Sequence, residues 1–148
     1  MTNEVQNLPL FTLPLVALPG EVFALHIFEP RYRELMAWCL AGQQAGRPGE
    51  FVISVSQGGD RPASVGTVVR LIRILQRYED GRLDVLVAGR RRVRINRMRS
   101  DQAYFTVDVV PWEDTRPDWE EALATEAYQL HSRLIQAVSG QEPEAASY

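Results

Sequence analysis

No lysine occurs anywhere in the 148 residues; all 16 basic side chains are arginine. A Walker A nucleotide loop, a Schiff-base amine and a serine–lysine dyad each need a lysine, so all three are excluded. Cys39 is the single cysteine. It excludes an internal disulfide and a CxxC zinc or redox pair, and it suits a reducing cytoplasm. The only histidines are His26 and His131, and with one cysteine they do not suggest a dedicated zinc site. Ser54 and Ser56 lack the GxSxG elbow of a serine hydrolase. No catalytic centre, metal or cofactor is therefore expected. Nor does any run approach the roughly 18 apolar residues that suggest a membrane helix. The most apolar region, residues 8–18, is broken by Pro9, Pro14 and Pro19 and reads as strand and turn. Residues 1–7 are polar and acidic with no basic stretch leading into an apolar one, so no secretory signal is expected.

What is present suits one globular domain, with or without a helical appendage: 45% of residues are hydrophobic, and a chain this long can bury a core without staples. The net charge of −3 is unevenly spread. Residues 1–60 carry 3 arginines against 6 acids, residues 61–100 carry 11 against 3, and residues 101–148 carry 2 against 10. Such asymmetry marks either a nucleic-acid surface with an acidic tail or two segments that pair with each other in the fold. The near-cancellation favours pairing.

Element signals alternate between the two periods. Residues 8–16, with two prolines, suit an extended edge strand. Pro19-Gly20 is a turn, and Val22, Phe23, Leu25, Ile27 and Phe28 make a second apolar stretch. Pro30 fits the first position of a helix with Glu29 at the cap. Tyr32, Leu35, Met36 and Cys39 then recur at helical spacing until Gly42, which is expected to end the helix. Residues 51–55 form a short strand, and 57–64 read as a mobile loop. Residues 66–76 form a long strand with Val68, Val69, Leu71, Ile72 and Ile74 available for burial. Asp80-Gly81 supplies a hairpin turn. Residues 83–88 return as the partner, and 90–95 continue past a glycine bend. Residues 104–110 alternate as a half-buried strand. A last helix from about Pro117 presents Trp119, Leu123, Ala127, Leu130, Leu134 and Val138. The expected division is a β domain over 1–112, a helical extension over 113–140 and a disordered tail over 141–148.

Two ordered blocks carry a family resemblance. The first is Leu8-Pro9-Leu10, Pro19-Gly20 and Phe28-Glu29-Pro30-Arg31-Tyr32. The second is Val65-Gly66-Thr67, Asp80-Gly81-Arg82 and the run Gly89-Arg90-Arg91-Arg92-Val93-Arg94-Ile95. In order and spacing they resemble the N-terminal domain of Lon proteases over residues 8–112. The resemblance implies an α+β, mainly β fold. That fold is a PUA-like curved β barrel (similar to pseudouridine-synthase-and-archaeosine-transglycosylase domains) with one embedded helix and, here, a C-terminal helix. The ATPase module and the protease dyad of full-length Lon have no counterpart, so a stand-alone, non-catalytic member is expected. In Lon this domain helps to recruit unfolded or tagged substrates, which makes unfolded or flexible polypeptide the expected partner. An adaptor role toward a protease or chaperone is part of that expectation.

Two residue groups are candidate sites. His26, Phe28, Glu29, Arg31 and Tyr32 either line a groove for a peptide or simply build a strand-to-helix corner. Arg90, Arg92 and Arg94 share a face on an extended strand, and Arg97 and Arg99 extend it. They either hold nucleic-acid phosphates, as an RNA-binding PUA-like module would, or pair with Asp114, Asp118, Glu120 and Glu121. A small-molecule sensor with a barrel-mouth pocket is the third reading.

Overall fold

The computed structural model describes residues 5–112 and 146–147. In chain order the described elements are β1 (Gln6–Leu13), β2 (Val22–Ile27), α1 (Pro30–Gln44), β3 (Glu50–Val55), β4 (Val65–Arg77), β5 (Leu83–Arg99), β6 (Thr106–Pro111) and β7 (Ala146–Ser147). They form one mixed sheet in the order β4-β3-β1-β6-β5-β2-β7, and β4 also pairs with β5. The pairings therefore run from β1 through β3, β4 and β5 to β6 and back to β1. They are staggered along the strands, so the result is a strongly curved sheet rather than a regular closed barrel. The helix expected over 113–140 lies outside the described residues. Within the tail expected to be disordered, Ala146 and Ser147 form β7 beside β2.

The β4–β5 hairpin organises the molecule. Gly81 takes φ 98° in its turn, and the Tyr78 and Arg82 backbones bond to each other at 3.0 Å, as Asp-Gly requires. Along β5, Val68 faces Arg91 while Val69 faces Gly89, so Arg90 is an extra residue in the ladder. An unbroken strand would put Val87 and Val93 on one face. The bulge instead sends Leu83, Val85 and Val87 into a large cluster with Phe11, Leu25, Leu35, Met36 and Phe51. Val93 joins Leu8, Leu10, Val52, Val68, Val107 and Val109 in a second cluster. Neighbouring residues of β1 and β3 divide between the two clusters, so these strands are buried on both faces. Further bulges in β4 leave Ile72 and Leu75 as extra residues. Ile72, expected to be buried, is 46% exposed for that reason.

β1 is central, not an edge strand. Gln6 to Pro9 pair with β6, whereas Leu10 to Leu13 pair with β3. Pro9 is tolerated because its missing N–H falls where the strand changes partners; the next residue, Leu10, donates to the Phe105 carbonyl at 2.8 Å. 

The helix begins at Pro30 with Glu29 as the extended N-cap residue, and buries Tyr32, Leu35, Met36, Cys39 and Gly42. Gly42 does not end it. The stop is Gly46, at φ 86°. Its N–H donates to Gln43 O at 3.1 Å and Arg47 N–H donates to Gly42 O at 2.7 Å. This paired arrangement is a Schellman motif, which needs the left-handed residue just past the helix.

Burial also governs Cys39. It is fully enclosed, and desolvation pushes its thiol up to about 12. The thiolate is the reactive form. Cys39 is therefore expected to resist a disulfide-exchange reagent at mildly alkaline pH and to react once denaturant is added. Stoichiometric labelling of the native chain within minutes would contradict this burial.

Candidate functional site

The end of β2 and the start of α1 form one wall of a cleft of about 290 Å³. Phe28, Glu29, Arg31 and Tyr32 come from this corner, Thr12, Leu13 and Pro14 from the end of β1, and Ser56, Gly59 and Asp60 from the loop after β3. The local sequence dictates the corner. Pro30 starts the helix, so residues 28 and 29 stay extended, and the Glu29 carbonyl accepts from Tyr32 and Arg33 at 3.0 Å. Tyr32 on the first turn then faces inward. Its ring stacks on Phe11 with centroids 3.8 Å apart and planes 15° apart. Phe51 stands behind Phe11 at 6.1 Å. Phe28, one position past the strand, is left 41% exposed at the cleft.

Arg31 is the polar centre. Its Nε donates to Glu29 at 2.8 Å and its Nη1 donates to Asp60 at 2.7 Å. Its guanidinium carbon lies 4.6 Å from the Tyr32 ring centroid. Burial works against the charge, but the bonds to Glu29 and Asp60 outweigh it and hold Arg31 above the ordinary arginine value. Burial also pushes the Tyr32 phenol up, partly offset by its hydrogen bond with Thr12, so the ring stays neutral. The cleft therefore offers a fixed cation with both carboxylates engaged, an exposed aromatic and a neutral phenol. Asp60 was not visible as a site residue in sequence. It sits in the loop read as mobile, which several hydrogen bonds hold in the structure. Ser56 Oγ donates to Gly59 O at 2.8 Å, Gln57 N–H donates to Arg61 O at 2.7 Å and Ala63 N–H donates to Val55 O at 3.0 Å. Gly58 and Gly59, at φ 123° and 56°, make this tight path possible.

His26 does not line the cleft. It projects from the face of β2 opposite Leu25 and Ile27, with Nδ1 2.6 Å from Asp84. Asp84 also accepts from the Tyr78 hydroxyl at 2.7 Å, and the Tyr78 ring meets His26 edge-on at 5.6 Å. The imidazole is thus oriented by a carboxylate and a phenol, and its ring is 6.2 Å from that of Phe28.

The arginine row is rebuilt by the bulges. Arg90, the extra residue, drops out of the alternation. Asn96 is extra against β6, so Arg94, Arg97 and Arg99 face Val110, Asp108 and Thr106 in turn. These β6 residues alternate, so the three arginines share a face, and Arg92 belongs to the same row. Arg94 stacks 5.0 Å from the Trp112 ring, and Arg99 donates to Asp108 at 2.8 Å. Arg92 lines a second cleft of about 250 Å³ with Leu15, Val16, Ile53 and Thr67. Glu50, buried at the start of β3, receives Arg91 at 3.2 Å and Arg70 at 3.5 Å. Glu50 and Asp108 are thus carboxylate partners of this region among the described residues, while Asp114, Asp118, Glu120 and Glu121 lie outside them. No group of three or more His, Cys, Asp or Glu side chains among the described residues is placed to hold a metal ion. No described helix is long and apolar enough to cross a membrane.

Among the described residues, fold and site define a curved sheet with one helix and a polar–aromatic cleft at the β2–α1 corner. The model of the substrate-binding domain of ATP-dependent protease La (Lon) matches residues 7–148, and the chain belongs to that family. It is 28% identical over 126 residues to a Lon protease of Flavobacterium johnsoniae, covering 80% of this chain but only 15% of that protein. Among solved structures, a Lon N-terminal domain protein from Xanthomonas campestris is 34% identical with a TM-score of 0.60. That match covers 73% of this chain and 60% of the other. The N-terminal domain of a Mycobacterium avium complex Lon protease shares the fold at 17% identity and a TM-score of 0.58, covering 94% and 77%. The chain is thus a substrate-binding domain of the Lon type with the expected mainly β fold.

Proposed function

We propose that this domain captures unfolded or flexible polypeptide in the cleft formed by Phe28, Glu29, Arg31, Tyr32 and Asp60. It would do so in the cytoplasm, without ATP or catalysis of its own, and present the polypeptide to a protease or chaperone. The observation that carries this reading is the exposed Phe28 beside a guanidinium held rigidly by two carboxylates. An apolar side chain of the ligand would cover Phe28, while its backbone carbonyls would meet the remaining Arg31 donors. Both groups are positioned before binding, so little ordering entropy is lost. Membership of a family described as the substrate-binding domain of a protease supports this reading.

Fluorescence anisotropy of a labelled, permanently unfolded polypeptide tests it. Saturable binding is expected, with little change between low and moderate salt. Phe28→Ser, at a half-exposed position, should leave the fold intact and weaken binding by about tenfold, the effect of losing a modest hot spot of ~1.4 kcal/mol. No saturation at roughly hundreds of micromolar protein, a regime of negligible affinity, would remove the reading. Affinity that collapses with salt would move the site to the row of Arg92, Arg94 and Arg97, because phosphate contacts release counterions.

A further inference from the structure

The charges that line the β2–α1 cleft do not balance. Among the described residues, its lining holds one cation, Arg31, and two carboxylates, Glu29 and Asp60. The guanidinium lies deeper than the acids: its side chain is 29% exposed, against 38% for Glu29 and 43% for Asp60. Both acids already engage it, at 2.8 and 2.7 Å. An incoming carboxylate or phosphate would compete with two carboxylates in place and meet their charge before that of Arg31. A cationic group meets the opposite situation. Each carboxylate has two oxygens and about four acceptor sites, so a bond to Arg31 does not exhaust it.

The neighbouring cations direct donors elsewhere. Arg33 donates to Phe28 O at 3.1 Å and to Asp80 O at 3.0 Å. Arg61 donates to Gln57 O at 3.4 Å. Neither belongs to the cleft lining. Phe28, exposed on the same lining as the two acids, supplies the apolar half of the complement. Lysine and arginine carry an apolar stem beneath their charge, and a cation is attracted to an aromatic face.

We propose, resting on the reading of this cleft as the polypeptide site, that it selects segments in which a lysine or arginine adjoins an apolar residue and rejects acidic segments. Glu29 and Asp60 are then the residues that set specificity. The ligand's apolar side chain and the basic stem share Phe28, and the cationic head lies against the two carboxylates. Arg31 keeps its role toward backbone carbonyls. One such contact leaves overall affinity only weakly dependent on salt, unlike a row of phosphate contacts.

The test uses the full chain and three fluorescein-labelled, unstructured Gly/Ser-rich peptides that differ at one position. Each carries a leucine followed by lysine, glutamine or glutamate, and anisotropy reads the affinities. The lysine peptide is expected to bind roughly tenfold tighter than the glutamate peptide, with glutamine between them. That is the combined size of a modest attraction and a modest repulsion between half-exposed charges. Glu29→Gln with Asp60→Asn keeps an acceptor oxygen toward Arg31 at both positions and removes both charges, so the preference should vanish or reverse. An unchanged melting temperature checks the fold. Asp60→Asn alone should leave about a threefold preference, half of the effect on a logarithmic scale, and serves if the double variant is unstable. Glu79→Gln with Asp101→Asn removes the same charge from exposed positions outside the cleft, and should keep the full preference. Equal affinity for the three peptides, or a preference that survives in the cleft variants, overturns the proposal. So does its loss in the Glu79 and Asp101 control, which would make it an effect of overall charge. Equal affinities that all weaken in Phe28→Ser would leave the cleft reading standing and remove only the selectivity. No saturable binding of any peptide removes both.

Discussion

Replacing Phe11 with alanine is expected to cost about 3–5 kcal/mol of folding stability, the range for a fully buried phenylalanine. Phe11 is completely enclosed, stacked on Tyr32 and tilted against Phe51. Its removal leaves a hole where β1, β3 and α1 meet. Domains of this size have roughly 5–15 kcal/mol in hand, so the variant should be marginal at room temperature. Urea unfolding followed by tryptophan fluorescence measures it. The functional corollary is that Tyr32 loses the ring that orients it, so the cleft loosens before the fold is lost. A stability change below about 1 kcal/mol, the size of an ordinary substitution, would show that the stack does not anchor this corner.

Gly89→Ala should be at least as damaging as a typical overpacking change, about 3 kcal/mol or more. A β-carbon at this position would overlap the carbonyl oxygen of Leu18. The strand cannot simply move away. Gly89 N–H donates to Glu21 O at 2.7 Å, and Gly20 N–H donates to Gly89 O at 2.9 Å. Retreat would break two backbone bonds and disturb the bulge beside them. Gly46→Ala is the comparison. Its φ of 86° is unfavourable for alanine, yet no atom lies within 4 Å of the added carbon. That substitution should cost only about 1–2 kcal/mol, the left-handed penalty alone. Equal losses for the two variants would mean that β5 and the β1–β2 turn separate more easily than their contacts indicate.

Local signals in the sequence were reliable where one element decides the outcome. The inward face of α1 follows from Tyr32, Leu35, Met36 and Cys39, and the Asp80-Gly81 turn from backbone preference alone. The misreadings arose where a second element decides. Pro9 suggested an edge because nothing local reveals that β1 exchanges one partner for another at that residue. Gly42 suggested a helix stop because glycine marks ends, whereas here it is buried within the last turns of the helix, and an added β-carbon would make only ordinary contacts with Arg47. Arg90, Arg92 and Arg94 looked like one row because alternation is the default of a strand. A bulge changes the facing side with no residue type that announces it. In the cleft, Phe28, Glu29, Arg31 and Tyr32 are contiguous and could be grouped from the corner they build. Asp60 could not, since only the folded loop brings it to Arg31.

The double partnership of β1 has a consequence for how this chain is made. Asn7 bonds to Asp108 across a separation of 101 positions, and the same strand also needs β3. On a ribosome, the first strand emerges with neither neighbour available and must wait for nearly the whole domain to follow. The β4–β5 hairpin can form early, being local, but the pairing that returns to β1 cannot precede the emergence of Pro111. Until then the apolar residues of β1, from Leu8 to Leu13, have no complete shelter. A nascent chain in this state is itself the kind of client that quality-control machinery retains.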